Sequence, residues 1–225
     1  MNKRTALSWS GGKDSCLALD TLVKQGFEVA CLVTTVPEEL GRTFGHGEHV
    51  DLIKLQAESL SIPVRFIQCS LENYTESYIA ELKELKEQFH LASIAFGDLY
   101  LKDHRKWGEA VATRAGLDAC YPLWMEKKDR IRALRKFVVS GYKARVISVQ
   151  EAALDKSWLG REIDISFLHE IQQEPVCPLG ESGEYHTYVY DGPLFSQKIV
   201  LGSSEVIRRK NSYKLEFAES RLGEK

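Results

Sequence analysis

The chain is poor in the features that mark several common function classes. Its five cysteines, Cys16, Cys31, Cys69, Cys120 and Cys177, are an odd number without a Cys-x-x-Cys pair. That spacing argues against a disulfide framework or a zinc site, fits a reducing cytoplasm, and leaves the thiols as small core residues. No apolar run is long enough to cross a bilayer and no secretory apolar stretch follows the first residues, so a cytoplasmic protein with no membrane partner is expected. Neither sign of charge dominates: 30 Lys and Arg stand against 32 Asp and Glu, a net charge of -2. There is thus no strong nucleic-acid signal, although a local basic patch is compatible with that balance. Repeats and low-complexity segments are absent. The Walker A spacing is also missing, because Asp14 stands where a Ser or Thr would follow the lysine, which disfavours a kinase or a GTPase.

What is present begins with Ser10-Gly11-Gly12-Lys13-Asp14-Ser15. Thr5 to Trp9 reads as a strand, and Cys16, Leu19, Leu22 and Val23 fall on one helical face until Gly26. The glycines therefore lie between a strand and a helix N-terminus, where backbone N–H groups and the helix dipole attract an anion. Gly11 and Gly12 permit close approach of the backbone, Lys13 adds a point charge, and the Ser10 and Ser15 hydroxyls can donate. The stretch is a phosphate site.

At 225 residues with 44% hydrophobic content, the chain can bury a large core and hold one larger and one smaller domain. Phe27 to Val36 is an apolar run suited to a strand buried on both faces. Pro37 to Gly47 is rich in turn residues; Val50, Ile53, Ala57 and Leu60 start a second helix, and Val64 to Cys69 is a strand. Asn73 and Glu76 have capping-box spacing before Tyr78, Ile79, Leu82, Leu85 and Phe89. Ser93 to Phe96 is another strand, followed by Gly97-Asp98, and Asp103 is placed to cap a helix carrying His104 and Arg105. Alternating strands and helices give an α/β, doubly wound parallel sheet, whose ligands bind at the carboxyl ends of the strands. The loop at Ser10, the segment after Val36 and Gly97-Asp98 should share that edge.

Tyr121 to Trp124 breaks the rhythm, which sets expected domains at 1–125 and 126–225. The second is read as a smaller α+β domain: a helix over Ile131, Leu134 and Val138, a strand from Ala144 to Val149, a helix capped by Asp164, and strands from Lys198 to Ile207 and Tyr213 to Phe217. The last polar residues read as frayed. Between these elements, Cys177 to Thr187 packs Glu181, Glu184, His186 and Thr187 among glycines. Carboxylates there can hold a cationic substrate, accept a proton from an amine, or ligate Mg²⁺. Asp191-Gly192-Pro193 reads as a turn.

The hexapeptide at Ser10 resembles the PP-loop of the ATP pyrophosphatases, which cleave ATP between the α and β phosphates. Adding His46, Gln56-Ala57-Glu58, Ile62-Pro63, Gly97-Asp98, Pro122-Leu123-Trp124, Gly180 to Thr187 and Tyr190 to Pro193, the chain is similar to the diphthine ammonia ligase family within that group. The resemblance implies a HUP-type nucleotide-binding domain and a C-terminal substrate-binding domain. It also implies ATP and Mg²⁺, ammonium as co-substrate, and an acyl-adenylate route to an amide. The implied acceptor is a carboxylate, that of diphthine on elongation factor 2. Transferred to this chain, the catalytic set is Lys13, Asp14 and Glu184, with Asp14 on the metal and the deprotonation of the amine open among Glu181, Glu184 and His186. ATP falls to Ser10, Gly11, Gly12, Lys13, Asp14, Ser15, Gly97 and Asp98. The substrate falls to His46, His104, Arg105, Glu181, Glu184, His186 and Thr187. The Gly-Glu-x-Gly-Glu-Tyr-His-Thr form resembles a bacterial branch, for which the ATP chemistry follows and the acceptor stays open. A tRNA-thiolating enzyme is disfavoured by the lack of a cysteine pair. A non-catalytic nucleotide-binding module is disfavoured by the intact Lys13-Asp14-Ser15. A homodimer is compatible with the sequence.

Overall fold

β1 (Arg4–Ser8) is the central strand of a parallel sheet whose order, with β2 (Glu28–Pro37), β3 (Val64–Cys69), β4 (Ser93–Ala95) and β5 (Asp118–Cys120), is β3-β2-β1-β4-β5. The computed structural model describes residues 3–37, 41–44 and 46–225, so part of the Pro37 to Gly47 segment lies outside the described residues. Crossovers are made by α1 (Lys13–Lys24), α2 (Val50–Leu60), α3 (Tyr74–Phe89) and α4 (Lys102–Ala115). The chain winds from β1 outward to β3, then returns across β1 to β4. That reversal puts a crevice at the carboxyl ends of β1 and β4.

Both faces of the sheet are buried, which explains why β2 is apolar nearly throughout. On one face, Ala6, Cys31, Val33, Ile67 and Ile94 pack with Tyr78, Ile79, Leu82 and Leu85 of α3 and Val111 and Ala112 of α4. Right-handed crossovers put α1 and α2 on the other face. There Cys16, Leu19 and Leu22 are fully buried, each large aliphatic side chain contributing about 1.5–3 kcal/mol.

Two compact units result, one of Met1–Ser10 and Asp14–Trp124, the other of Gly11–Lys13 and Met125–Lys225. The second contains α5 (Arg130–Val138), β6 (Lys143–Gln150), α6 (Ile165–Ile171) and β7 (Tyr185–Asp191), then β8 (Lys198–Val200), β9 (Ser204–Arg209), β10 (Ser212–Phe217) and β11 (Arg221–Gly223). Among the described residues these strands form an antiparallel sheet in the order β7-β6-β10-β9 and a β11-β8 pair. Asp164 caps α6 as predicted, its Oδ1 accepting from the Phe167 N–H at 2.9 Å.

Several local expectations give way. Asn73 makes no capping bond to α3; its Oδ1 accepts from the Ser70 N–H instead, while Glu76 pairs with Arg114 on α4. Asp103 lies inside α4, whose N-cap is Leu101, and it faces Lys106. The run from Lys198 to Ile207 is two strands, broken where Gly202 comes so near the Glu219 carbonyl that a Cβ would sit 2.4 Å from it. The final polar residues are held as β11, and Lys225 donates to the Gly192 carbonyl at 2.7 Å. β5, three residues long, carries no legible periodicity.

At the Asp191-Gly192-Pro193 turn, a Cβ on Gly192 would lie 1.9 Å from Cδ1 of the buried Tyr142. Gly192→Ala must displace that ring, and we expect a loss of about 2 kcal/mol or more in urea unfolding, as for overpacked cores. Unchanged stability would mean the turn can move away from Tyr142.

Candidate active site

After β1 the chain stays paired with β2 for one more residue, the Trp9 N–H donating to the Val33 carbonyl at 2.8 Å. The indole is fixed by Gln56 Oε1 at 2.9 Å. The backbone then turns through Gly11 at φ +78°, the left-handed region that glycine enters without strain, and α1 starts at Lys13. Ser10 Oγ donates to Ser15 Oγ at 3.2 Å, closing the loop across the first turn of the helix.

Gly11–Lys13 belong to the second unit. The Gly11 carbonyl accepts from the Val189 N–H at 2.9 Å, and the Lys13 N–H donates to Thr187 Oγ1 at 3.0 Å. Lys13 is only 4% exposed. Its Nζ donates to the Leu179 carbonyl and lies 5.2 Å from the centre of the Tyr185 ring. Backbone carbonyl and aromatic face together hold a cation in a covered place.

The segment carrying Leu179 is folded on itself. Glu184 accepts from the Cys177 N–H at 3.1 Å through one oxygen and from the Ser182 N–H at 2.9 Å through the other. The Tyr185 hydroxyl donates to the Pro178 carbonyl at 2.7 Å. Glu184, expected to act on the substrate, also clasps the loop that holds Lys13. Glu181 lies in the same loop, partly exposed.

His186 pairs across β6 with Ser148, and Ser148 in turn with Lys214 on β10. Burial, and then the charges of Lys13 and Lys214, push the His186 pKa down to about 4, against a smaller opposing pull from Glu184. The imidazole is neutral at pH 7. Lys214, 4% exposed, was not legible as a site residue: in Tyr213-Lys214-Leu215 it reads as the solvent face of a strand. The Tyr185 ring and Leu179 carbonyl were missed as well, since neither residue type signals a cation site.

A pH dependence follows. The unfolded chain takes a proton at His186 near its ordinary pKa of 6.5, the folded chain near 4. This stability is complete above pH 6.5 and is lost as the pH falls toward 4, up to about 3 kcal/mol. His186→Gln is expected to flatten the stability curve between pH 6.5 and 4.5; an unchanged slope in urea titrations would assign the loss to other groups.

In the first unit, Gly97 lies against α1: a Cβ there would be 3.2 Å from the Ser15 nitrogen and 3.3 Å from the Asp14 carbonyl carbon. Asp98 follows, and its Oδ1 is 3.0 Å from His104 Nδ1. Ser10, Asp14, Ser15, Gly97, Asp98 and His104 thus collect at the carboxyl ends of β1 and β4. Arg105 is turned aside: Nε donates to Glu109 at 2.7 Å, and the guanidinium lies 4.7 Å from the Trp124 ring centre and 5.3 Å from that of Tyr121. His46 sits in the loop after β2, which the Phe44 N–H ties to the Thr35 carbonyl at 3.1 Å. Among the described residues no three His, Cys, Asp or Glu side chains converge as a metal cage. Oxygen donors at the loop are the Asp14 carboxylate and the two serine hydroxyls.

Two family models match consecutive stretches of the chain: the diphthamide synthase N-terminal domain over residues 3–119 and the diphthamide synthase C-terminal domain over residues 129–216. Three similar curated proteins carry the name diphthine–ammonia ligase. That of Schizosaccharomyces pombe is 30% identical over 227 residues, covering 90% of this chain and 36% of its own length. That of Mus musculus is 28% identical over 233 residues, covering 91% of this chain and 85% of its own. That of Homo sapiens is 28% identical over 235 residues, with the same 91% and 85%. A solved structure, the U34-tRNA thiolase NcsA from Methanococcus maripaludis with its 4Fe-4S cluster, aligns at a TM-score of 0.36 and 14% identity over 57% of this chain and 54% of that one, too faint a likeness to bear on function.

Proposed function

Because this chain belongs to the diphthamide synthase family, we propose that it is an ATP-dependent ligase that adenylates a carboxylate and converts it to an amide with ammonia, releasing pyrophosphate and AMP. The acceptor we assign is the carboxylate of diphthine on elongation factor 2, in keeping with the name its relatives carry. Nucleotide binding falls to residues 1–125 and acceptor binding to residues 126–225. The observation that carries the reading is the loop itself, where the Ser10 and Ser15 hydroxyls meet across the start of α1 and the lysine between them in sequence is held under cover.

The acceptor carboxylate attacks the α-phosphorus of ATP, the bond to the bridging oxygen breaks, and pyrophosphate leaves with the electron pair. Charge grows on the departing phosphates. Loop N–H groups, the Ser10 and Ser15 hydroxyls and the Lys13 ammonium are fixed before that charge appears, so little reorganisation is needed. An ammonium has three donors, so anchoring to Leu179 is compatible with donation to a phosphate. Thr187 and Glu184 act indirectly, the first through the Lys13 N–H and the second through the Leu179 loop. An oxygen-only set with one carboxylate suits a hard cation that arrives with phosphates rather than in a protein cage. Asp14 with Ser10 or Ser15 would hold Mg²⁺, which neutralises phosphate charge when bound.

The test is to incubate the protein with ATP, Mg²⁺, ammonium and diphthine-bearing elongation factor 2, and to read carboxylate-to-amide conversion by mass spectrometry. Conversion that requires both ATP and ammonium is expected. Unmodified diphthine alongside AMP formed with another carboxylate would move the acceptor. His186 favours that second reading, because the Gly-Glu-x-Gly-Glu-Tyr-His-Thr form that contains it resembles a bacterial branch for which the acceptor stays open.

A further inference from the structure

The proposed reaction needs a base. Ammonium has no lone pair and must lose a proton before it can attack a carbonyl. Glu184 has both oxygens committed to backbone N–H groups, and His186, with a pKa of about 4, is too weak a base to compete for that proton.

The first unit carries a different pair. Asp98 Oδ1 and His104 Nδ1 are 3.0 Å apart, with the carboxylate side chain 24% exposed and the imidazole 59% exposed. The acid is mostly covered and the ring reaches out. Asp98 is adjacent to Gly97, where an added Cβ would come within 3.2–3.3 Å of the Ser15 and Asp14 backbone, so the pair stands beside the first turn of α1, where the phosphates bind in the proposed reading. Tyr74, Tyr78 and Tyr121 have phenols pushed up by burial foremost and further by the Asp98 charge. On α4, Arg105 is answered by Glu109 and Lys106 by Asp103.

We propose that His104, oriented by Asp98, is the base that takes the proton from ammonium in the amidation step. The inference rests on the ligase reading above. Asp98 accepts the Nδ1–H, which leaves the lone pair on Nε2 and neutralises the charge the ring acquires. Nε2 takes one proton from ammonium; the freed nitrogen pair forms the C–N bond at the acyl adenylate; the C–O bond to the phosphate breaks and AMP leaves with its electrons. A second proton departs from the new amide nitrogen to water, and His104 returns its own to solvent.

Two measurements decide the matter. In the first, amide formation on diphthine-bearing elongation factor 2 is followed across pH, with ATP–pyrophosphate exchange in parallel. His104→Gln is expected to lower amide formation at pH 7 by about 10²-fold, a usual size for a lost base, and to lower exchange far less. The deficit should shrink as rising pH supplies free ammonia from solvent. A deficit equal at every pH, or shared equally by exchange, would overturn the proposal. The second measurement is ¹⁵N NMR of His104 in the full chain without ligands: the neutral ring should carry its proton on Nδ1 and lose that preference in Asp98→Asn. A proton on Nε2 would overturn the proposal even without turnover. A wild-type protein that shows no exchange with this acceptor would instead overturn the ligase reading, and the NMR result would still judge the pair.

Discussion

Lys13→Ala is expected to lower AMP formation by about 10³-fold or more in a protein that still folds. Removing one donor aimed at developing charge costs roughly 10²- to 10³-fold, and Lys13 brings a full charge to a place only 4% exposed, where water replaces it poorly. The truncation also takes the ammonium from the Leu179 carbonyl and from the Tyr185 face, so a stability loss of about 1–3 kcal/mol should accompany it. Lys13→Met keeps most of the side-chain packing and removes the ammonium with its donation to Leu179 and its contact with the Tyr185 face, so a difference in stability between it and Lys13→Ala measures the packing alone. AMP release and urea unfolding measured on the same preparations check both. A folded variant within tenfold of wild type would remove Lys13 from the phosphate site.

The second large effect belongs to a residue with no chemistry of its own. Gly97→Ala places a methyl 3.2–3.3 Å from the backbone of Ser15 and Asp14. Those neighbours are main-chain atoms at the start of a helix, so relief comes from shifting α1 by a few tenths of an ångström rather than by a side-chain turn. Such a shift moves the hydroxyl of Ser15, the carboxylate of Asp14 and the loop before them. Misplacement by about 1 Å can cost 10²-fold in a positioned reaction; we expect a fall of about 10-fold to 10²-fold in kcat/KM with a thermal midpoint lowered by only a few degrees. Wild-type turnover would show that the loop tolerates movement, which contradicts a role for pre-set geometry.

The first unit was readable because its signals are local and strong. β2 is a run of apolar residues, α1 shows its buried face as Cys16, Leu19 and Leu22, and Gly11 stands where the backbone must turn left-handed. Capping at Asn73 and Asp103 failed for a physical reason: the side chains that sequence spacing offers to the backbone found other partners, Ser70 for the one and Lys106 for the other. The Lys198 to Ile207 run has strand character throughout, and only the close approach of Glu219 to Gly202, invisible in sequence, divides it.

The site was legible in its residue types and less so in their tasks. A carboxylate flanked by glycines looks free to work on a substrate, yet Glu184 is occupied by the N–H groups of Cys177 and Ser182. Arg105 looks like a phosphate ligand at a helix start, and Glu109 with Trp124 draws it away. Asp98 and His104 are six residues apart, a spacing without meaning until the turn between β4 and α4 brings their side chains together. Lys214 is buried by its sheet neighbours, against the usual rule for lysine.

The most direct test of the central claim is product analysis with α-labelled ATP, Mg²⁺, ammonium and diphthine-bearing elongation factor 2. AMP is the expected labelled product, formed with one pyrophosphate and one amide for each ATP consumed and lost in Lys13→Met. Labelled ADP would contradict the account, because it would mean cleavage between the β and γ phosphates and a loop that does not hold departing pyrophosphate.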